Sequence, residues 1–305
     1  MENNDIHTSQ LVEDYLDCIG EDISQFVSIM NVEYLNDNYD KCVCRDNEIN
    51  RLCEILLRKN KCNPVLVGLA GVGKTAIVEG FVSKITEMKK KSLENDSVNN
   101  HPLVDTIVLN VNLTSMIAGT KYRGDFEDKF KKIINVATKN PNVVLFIDEI
   151  HMIIGMNKND ETGTVSLGQM LKSPLSRGSI SVIGATTEAE YEVIKQDKAL
   201  DRRFTPINVN EFTKSQMKSI LPTISKTYSD YHNIKISNDV MNSALEYCDV
   251  HLDNGKTYPD KLIDVIDETA SRVRLENYDA KDISMTVNDV CKTIFNMTGK
   301  FIINA

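Results

Sequence analysis

The chain has 305 residues and a mass of 34.3 kDa, which predicts about two domains at roughly 150 residues each. Its 41% hydrophobic and 26% charged residues are ordinary for a globular chain and exclude disorder throughout. The densest apolar stretch, 143–147, falls far short of the roughly 18 residues that a spanning helix needs, and residues 1–10 lack the basic and apolar regions of a signal peptide.

The net charge of −9 is concentrated at one end. Residues 1–50 carry 12 Asp and Glu against Lys41 and Arg45, and the remainder is close to neutral. This acidic leader reads as a solvated helix face, and it argues against DNA or an anionic membrane as partner. Seven scattered cysteines read as reduced thiols in a cytosol-like compartment. Cys42, Cys44, Cys53 and Cys62 fit no common zinc spacing.

In chain order, residues 1–40 are expected to form an acidic helical extension, because Leu11, Tyr15, Ile19, Ile23, Phe26 and Val27 follow the spacing of one or two amphipathic helices. An α/β domain is expected over 41–210. Its predicted strands are 64–67, 106–111, 143–147 and 180–185; its predicted helices are 74–91 and 125–139. The charged, Ser- and Asn-rich stretch 89–100 reads as a loop. Strands alternating with helices predict three layers around a mostly parallel sheet. After about residue 211 the strand signals fade. Helices are predicted at 214–231, 238–250, 259–276 and 288–297, with Pro259 in a first turn, giving a small helical domain over 211–305.

Between the first of these strands and its helix, Gly68-Leu-Ala-Gly-Val-Gly-Lys74-Thr75 matches G-x-x-x-x-G-K-[ST] in the strand–loop–helix context that the motif requires. Glycines let backbone N–H groups turn inward around an anion, and the helix start adds partial positive charge. Gly68, Ala70, Gly71, Val72, Gly73, Lys74, Thr75 and Ala76 are therefore the candidate nucleotide cradle. Lys74 would reach the β- and γ-phosphates of ATP, and the Thr75 hydroxyl would hold Mg²⁺. The apolar run 143–147 ends in Asp148-Glu149, which delivers two carboxylates to the carboxyl edge of the sheet. Asp148 can support Mg²⁺, and Glu149 can orient or deprotonate an attacking water.

Further motifs make the reading specific. The run 64–81 resembles the first ATPase domain of the Clp family of AAA+ unfoldases, the ClpA, ClpB and ClpC group. So do Ala118-Gly-Thr-Lys-Tyr-Arg-Gly-Asp-Phe-Glu127, Leu145-Phe-Ile-Asp-Glu-Ile-His151, Gly184-Ala-Thr-Thr187, Lys198-Ala-Leu-Asp-Arg-Arg-Phe204 and Tyr258-Pro-Asp-Lys-Leu-Ile-Asp264. They stand in family order and spacing from about residue 41 to the end. The resemblance implies the AAA+ fold: a P-loop α/β domain followed by an all-helical lid. It places Lys121 and Tyr122 on a substrate-gripping pore loop, Arg202 and Arg203 as an arginine-finger pair for the neighbouring subunit, and Thr186 as the sensor of the γ-phosphate. Val43 and Cys44 fall on the adenine-contacting segment, where a plain core strand is the other reading. Pro259 and Asp260 open the lid helix that leans over the nucleotide.

The chain departs from the family pattern in three places. Leu69-Ala70 stands for the usual Glu-Pro, and Cys44 for the usual Gly. Beyond these, the length leaves no room for the globular N-domain, the coiled-coil middle domain or the second ATPase domain. The resemblance implies a single-ring, hexameric ATPase that pulls on a client polypeptide in the cytoplasm, the host cytoplasm if the source is viral, with no peptidase docking of the usual kind. Two other readings stay open: an accessory subunit that joins or caps a host Clp ring, and a nucleic-acid remodeller, disfavoured by the absence of a basic stripe.

Overall fold

A run such as Val143–Ile147 has no polar face, so it is stable only where both of its sides are covered. The structure, a computed structural model that describes residues 2–17, 19, 23–94, 100–118, 123–155, 167–252 and 255–300, places it near the middle of a six-stranded sheet. The chain divides into two units: Met1–Gly68 with Lys74–Asn208, and Leu69–Gly73 with Val209–Ala305.

The first unit runs α1 (Glu2–Asp17), β1 (Val27–Ile29), α2 (Met30–Leu35), α3 (Asp46–Leu56), β2 (Asn63–Val67), α4 (Lys74–Glu94), β3 (Ile107–Val111), α5 (Leu113–Ala118), α6 (Arg123–Lys139) and β4 (Val143–Ile147). It continues with α7 (His151–Gly155), α8 (Leu167–Arg177), β5 (Ser181–Thr186), α9 (Glu188–Gln196), α10 (Lys198–Asp201) and β6 (Phe204–Asn208). The strand order is β1-β3-β4-β5-β2-β6, with β1 antiparallel to β3 and every other pair parallel. Successive strand residues face opposite sides of the sheet. Val65, Val67, Ile107, Leu109, Val143, Leu145, Ile147 and Val182 share one core with Phe126, Phe130 and Ile133 of α6 and Leu171 and Leu175 of α8. The intervening Leu66, Val108, Val144, Phe146 and Ile183 are buried too, as are Ile77, Phe81 and Ile85 of α4, so helices cover both faces.

Three expectations need correction. Phe26 and Val27 do not continue a helix. The helix ends at Asp17, and Val27 opens β1, which occupies the free edge of β3 from Val27↔Val111 to Ile29↔Leu109. Leu11, Tyr15, Ile19, Ile23 and Val27 are all buried in the same core as the sheet. The stretch 89–100 is helical as far as Glu94, where Lys89 pairs with Asp105 and Lys91 stands 3.9 Å from Glu87. Finally, β6 is a further strand, held at the edge where its Pro206 is tolerated.

Asn31, with no exposed surface, ties three elements of this unit together. Its Nδ2 donates to Thr86 Oγ1 at 2.9 Å and to Thr106 O at 3.2 Å, and its Oδ1 accepts the Val108 N–H at 2.8 Å. β1 stops opposite Leu109, so the Asn31 side chain takes the β3 N–H group that lies just past the end of that pairing.

The second unit contains α11 (Lys214–His232), α12 (Asn238–His251), α13 (Asp260–Glu276) and α14 (Val287–Thr298). Thr213, Ser237 and Thr286 cap three of these helices at their starts, and left-handed Asn233 and Gly299 close two at their ends. Met217, Leu221, Met241, Leu245, Leu262, Ile266, Val290 and Ile294 form its interior. Among the described residues no helix is long and apolar enough to cross a membrane.

Candidate nucleotide site

β4, β5 and β2 stand side by side, and their carboxyl ends carry most of the candidate residues. β2 ends at Val67. The next residue, Gly68, donates its N–H to Thr186 O at 3.3 Å. Lys74 is buried at the first residue of α4 and donates Nζ to Gly68 O at 3.0 Å. A fixed positive charge therefore sits at the amino end of a 21-residue helix, where the helix dipole adds to it. Thr75 Oγ1 donates to Asp148 Oδ2 at 3.3 Å, and Asp148 Oδ1 accepts the Glu149 N–H at 2.9 Å. A hydroxyl and a carboxylate brought together in this way are the hard oxygen ligands that Mg²⁺ takes.

Glu149 stands on a kink. Its φ is +50°, a left-handed backbone for a non-glycine residue. The turn is fixed by Ile150 N–H on Ala185 O at 3.1 Å and Met152 N–H on Glu149 O at 2.8 Å. Gly184 on β5 makes room for it, since a Cβ there would meet Ile150 at 3.0 Å. The Glu149 side chain is half-exposed. Burial raises its carboxyl above the usual carboxylate range, Asp148 and Glu190 raise it further, and His151 and Lys74 pull it down. A carboxylate shifted upward at a sheet edge is suited to accepting a proton.

Thr186 is fully buried as the last residue of β5. Its hydroxyl donates to Glu190 Oε2 at 3.2 Å and lies 3.1 Å from His151 Nδ1. His151 Nδ1 is in turn 3.3 Å from Glu149 Oε2 and 3.3 Å from Glu190 Oε2. One ring nitrogen thus links Glu149 to Thr186. Neither His151 nor Glu190 stands out in the sequence as a site residue. The signal that exists at Thr187-x-x-Glu190 reads as a helix-capping box, and α9 has that box in full. Burial opposes the Glu190 anion, but hydrogen bonds from Thr187, with His151 and Thr186, outweigh it and hold the carboxyl below its usual range.

Arg202 and Arg203 are placed elsewhere. They form the turn between α10 and β6, flanked by the buried Leu200 and Phe204. β6 pairs in parallel with β2, and Phe204 stands opposite Asn63. The pair therefore lies at the amino ends of these strands. The five residues of β2 separate that end from Gly68, roughly 17 Å at about 3.3 Å per residue. Arg202 is exposed and Arg203 half-exposed, and among the described residues neither guanidinium is ion-paired. Val43 and Cys44 lie on the irregular segment before α3, not on a core strand, and Cys44 has φ +61°. That backbone accounts for a glycine preference at this position. Val72 is buried, and Ala76 is half-buried in α4. Gly73, with φ +89°, directly precedes Lys74. Lys121 and Tyr122 lie outside the described residues.

In the second unit, Ala70 O accepts the Thr257 hydroxyl at 2.5 Å. Gly71 has φ +77°, and a Cβ on it would lie 2.7 Å from Asp260 Cβ. Pro259 forms the N-cap of α13 and Asp260 its first residue. Burial raises the Asp260 carboxyl, and neighbouring Asp264 adds to the effect.

A phosphate-binding segment between strand and helix, with a carboxylate pair two strands away, defines a P-loop nucleotide hydrolase. The family model described as "ATPase family associated with various cellular activities (AAA)" matches residues 64–211, and the AAA lid domain matches 213–300. The chain belongs to the AAA ATPases, whose domain and lid together span residues 64–300, and it is similar to those of the Clp type. It is 42% identical over 249 residues to the chaperone protein ClpB of Mycoplasma genitalium, covering 81% of this chain and 34% of that protein. It is 36% identical over 261 residues to ClpC/MecB of Bacillus subtilis, covering 84% of this chain and 31% of that one. The solved Hsp104:casein complex of S. cerevisiae in its extended conformation gives a TM-score of 0.76 at 31% identity, covering 92% of this chain and 46% of that one. This chain spans about a third of the length of the curated relatives.

Proposed function

We propose that this chain uses ATP hydrolysis to pull a polypeptide through the pore of a ring of its own copies, six by family resemblance. The observation that carries the reading is the separation of charge along the sheet. Lys74, Thr75, Asp148, Glu149 and Thr186 gather at the carboxyl ends of β2, β4 and β5, while Arg202 and Arg203 project from the opposite end of β6. Arginines so placed are out of reach of their own site and suit the nucleotide of a neighbour. Head-to-tail contacts of that kind make a ring where the rotation between copies closes.

In this reading Lys74 and the backbone from Gly68 to Ala76 hold the ATP phosphates. Thr75 and Asp148 hold Mg²⁺, which when bound neutralises phosphate charge. Glu149 takes the proton of the attacking water, and Thr186, joined to Glu149 through His151, reports the γ-phosphate. Val43 and Cys44 contact adenine, and Pro259 and Asp260 start the lid helix. The neighbour's Arg202 and Arg203 stabilise the transferring phosphoryl group, an effect worth about 10³–10⁵ in rate in other systems. Tyr122, beside Lys121, grips the client by apolar contact that needs no particular client sequence. That casein occupies a solved Hsp104 complex supports a polypeptide client here.

The test measures ATP turnover and unfolding of a tagged protein on the same preparations. Glu149→Gln is expected to bind ATP without turnover, Lys74→Ala to lose binding, and Tyr122→Ala to hydrolyse ATP but not unfold. Unfolding by Tyr122→Ala at the wild-type rate would remove the threading step. Wild-type turnover with no unfolding of any client would favour an accessory role.

A further inference from the structure

The arginine turn is held by a residue that takes no part in the nucleotide site. Asn63, the first residue of β2, is 2% exposed, and its one amide bridges β5 and the turn that leads into β6. Its Oδ1 accepts the Val182 N–H of β5 at 2.9 Å. Its Nδ2 donates to the backbone carbonyl of Arg203 at 3.1 Å. The β2–β5 pairing begins only at Val65↔Gly184, and Pro64 has no N–H to give, so at this level the Asn63 side chain stands in for ladder hydrogen bonds.

The same corner is fastened a second time. Thr205 Oγ1 donates to Lys61 O at 2.9 Å, just before β2. Arg203 N–H closes the turn on Leu200 O at 2.8 Å, and Asp197 caps α10 while paired with Lys172 at 2.6 Å. With Leu200 and Phe204 buried on either side, the backbone between them has little freedom left. Its two side chains are directed outward by a frame of fixed hydrogen bonds.

We infer that Asn63 is a positioning residue for the arginine turn: it fixes the Arg203 backbone so that the guanidinium meets the nucleotide of the neighbouring subunit. This rests on the reading of Arg203 as acting across the interface. Displacing a reacting group by about 1 Å can cost about a hundredfold in rate. Loss of the Asn63 bond should therefore lower kcat by roughly ten- to a hundredfold. ATP affinity should stay within about twofold, because no group of Asn63 lies at the phosphate end of β2.

Asn63→Asp is the selective variant, since it keeps an acceptor for Val182 N–H and removes the donor to Arg203 O. Thr205→Val, at a half-exposed position, loosens the same corner without touching Asn63 and serves if Asn63→Asp does not fold. Each is assayed alone and then mixed with Glu149→Gln subunits, which cannot hydrolyse but carry an intact arginine turn. In a mixed ring, the Asn63→Asp subunit keeps a competent site and receives sound arginines from its neighbour, so activity should return. A defect confined to its own subunit would not be repaired this way.

Arg203→Ala mixed with Glu149→Gln is the control. If that pair recovers and both Asn63→Asp and Thr205→Val do not, the positioning role is wrong while the cross-subunit reading stands. If the Arg203→Ala pair fails to recover, the cross-subunit reading falls and the positioning role with it. Wild-type turnover by folded Asn63→Asp, or by Thr205→Val should Asn63→Asp not fold, also overturns the inference.

Discussion

Replacing Asn31 with Ala should destabilise the first unit more than almost any other polar substitution in it. The side chain makes three buried hydrogen bonds, and nothing of the residue reaches solvent. Truncation leaves the Val108 N–H without its acceptor, and an orphaned buried donor costs about 1–3 kcal/mol. Thr106 O loses a donor but keeps a second lone pair, and the Thr86 hydroxyl can turn to its own helix, so each of these adds about 1 kcal/mol or less. The sum is about 3–4 kcal/mol, a large share of the roughly 5–15 kcal/mol that holds a domain together. For a unit of this size each kcal/mol moves Tm by about 2–4 °C, so the first transition should fall by about 10 °C. Thr86→Val removes one bond of the three and should cost about 1 kcal/mol. Thermal unfolding followed by circular dichroism, on both variants without nucleotide, tests this. A drop under about 2 °C for Asn31→Ala would mean that the side chain does not substitute for strand pairing on β3.

The remaining expectations concern pH and backbone. If Glu149 is the base proposed above, it acts only when ionised, and its carboxyl lies above the usual range, so turnover should fail on acidification at a higher pH than an ordinary glutamate would dictate. Glu190 is one of the charges that raise it, so Glu190→Gln should move this acid limb to lower pH; a limb that stays in place or moves upward refutes the coupling. Cys44→Gly relieves a left-handed non-glycine backbone and should raise Tm by about 2 °C, worth up to about 1 kcal/mol after glycine's entropy cost. A lowered Tm would show that packing of the half-buried thiol outweighs the backbone.

Much of the sheet is legible in the sequence because its central strands are short, uninterrupted apolar runs. Val143–Ile147 has one reading only, and the motifs at Gly68 and Asp148 sit where such strands must end. β1 is not legible. Its three residues are too few to show alternation, and Val27 also fits the helical spacing that precedes it. β6 is obscured by Pro206, which argues against a strand unless the edge position is already known. At the nucleotide site, the Lys74, Thr75 and Asp148 cluster follows from motif and strand order. The link from Glu149 through His151 to Thr186 does not, because it joins side chains 35 residues apart across two strands. Glu190 was hidden for a different reason: its capping role explains it completely until Thr186 and His151 are seen beside it.

The antiparallel β1 matters for how copies of this chain meet. A sheet edge with open N–H and C=O groups is a template for another strand, and here Val27 to Ile29 occupy those groups on Leu109, Asn110 and Val111. Trimming the acidic leader, a natural step for anyone seeking a tidier ATPase, would uncover that edge together with the apolar surface that Leu11, Tyr15 and Ile23 now seal. Copies could then zip side by side along β3. Such pairing uses the one freed edge of each copy and closes as a pair, so added mass in a trimmed preparation would report stickiness, not a ring. With β1 in place that edge of β3 is closed to another strand, and Leu11, Tyr15 and Ile23 stay packed against the sheet.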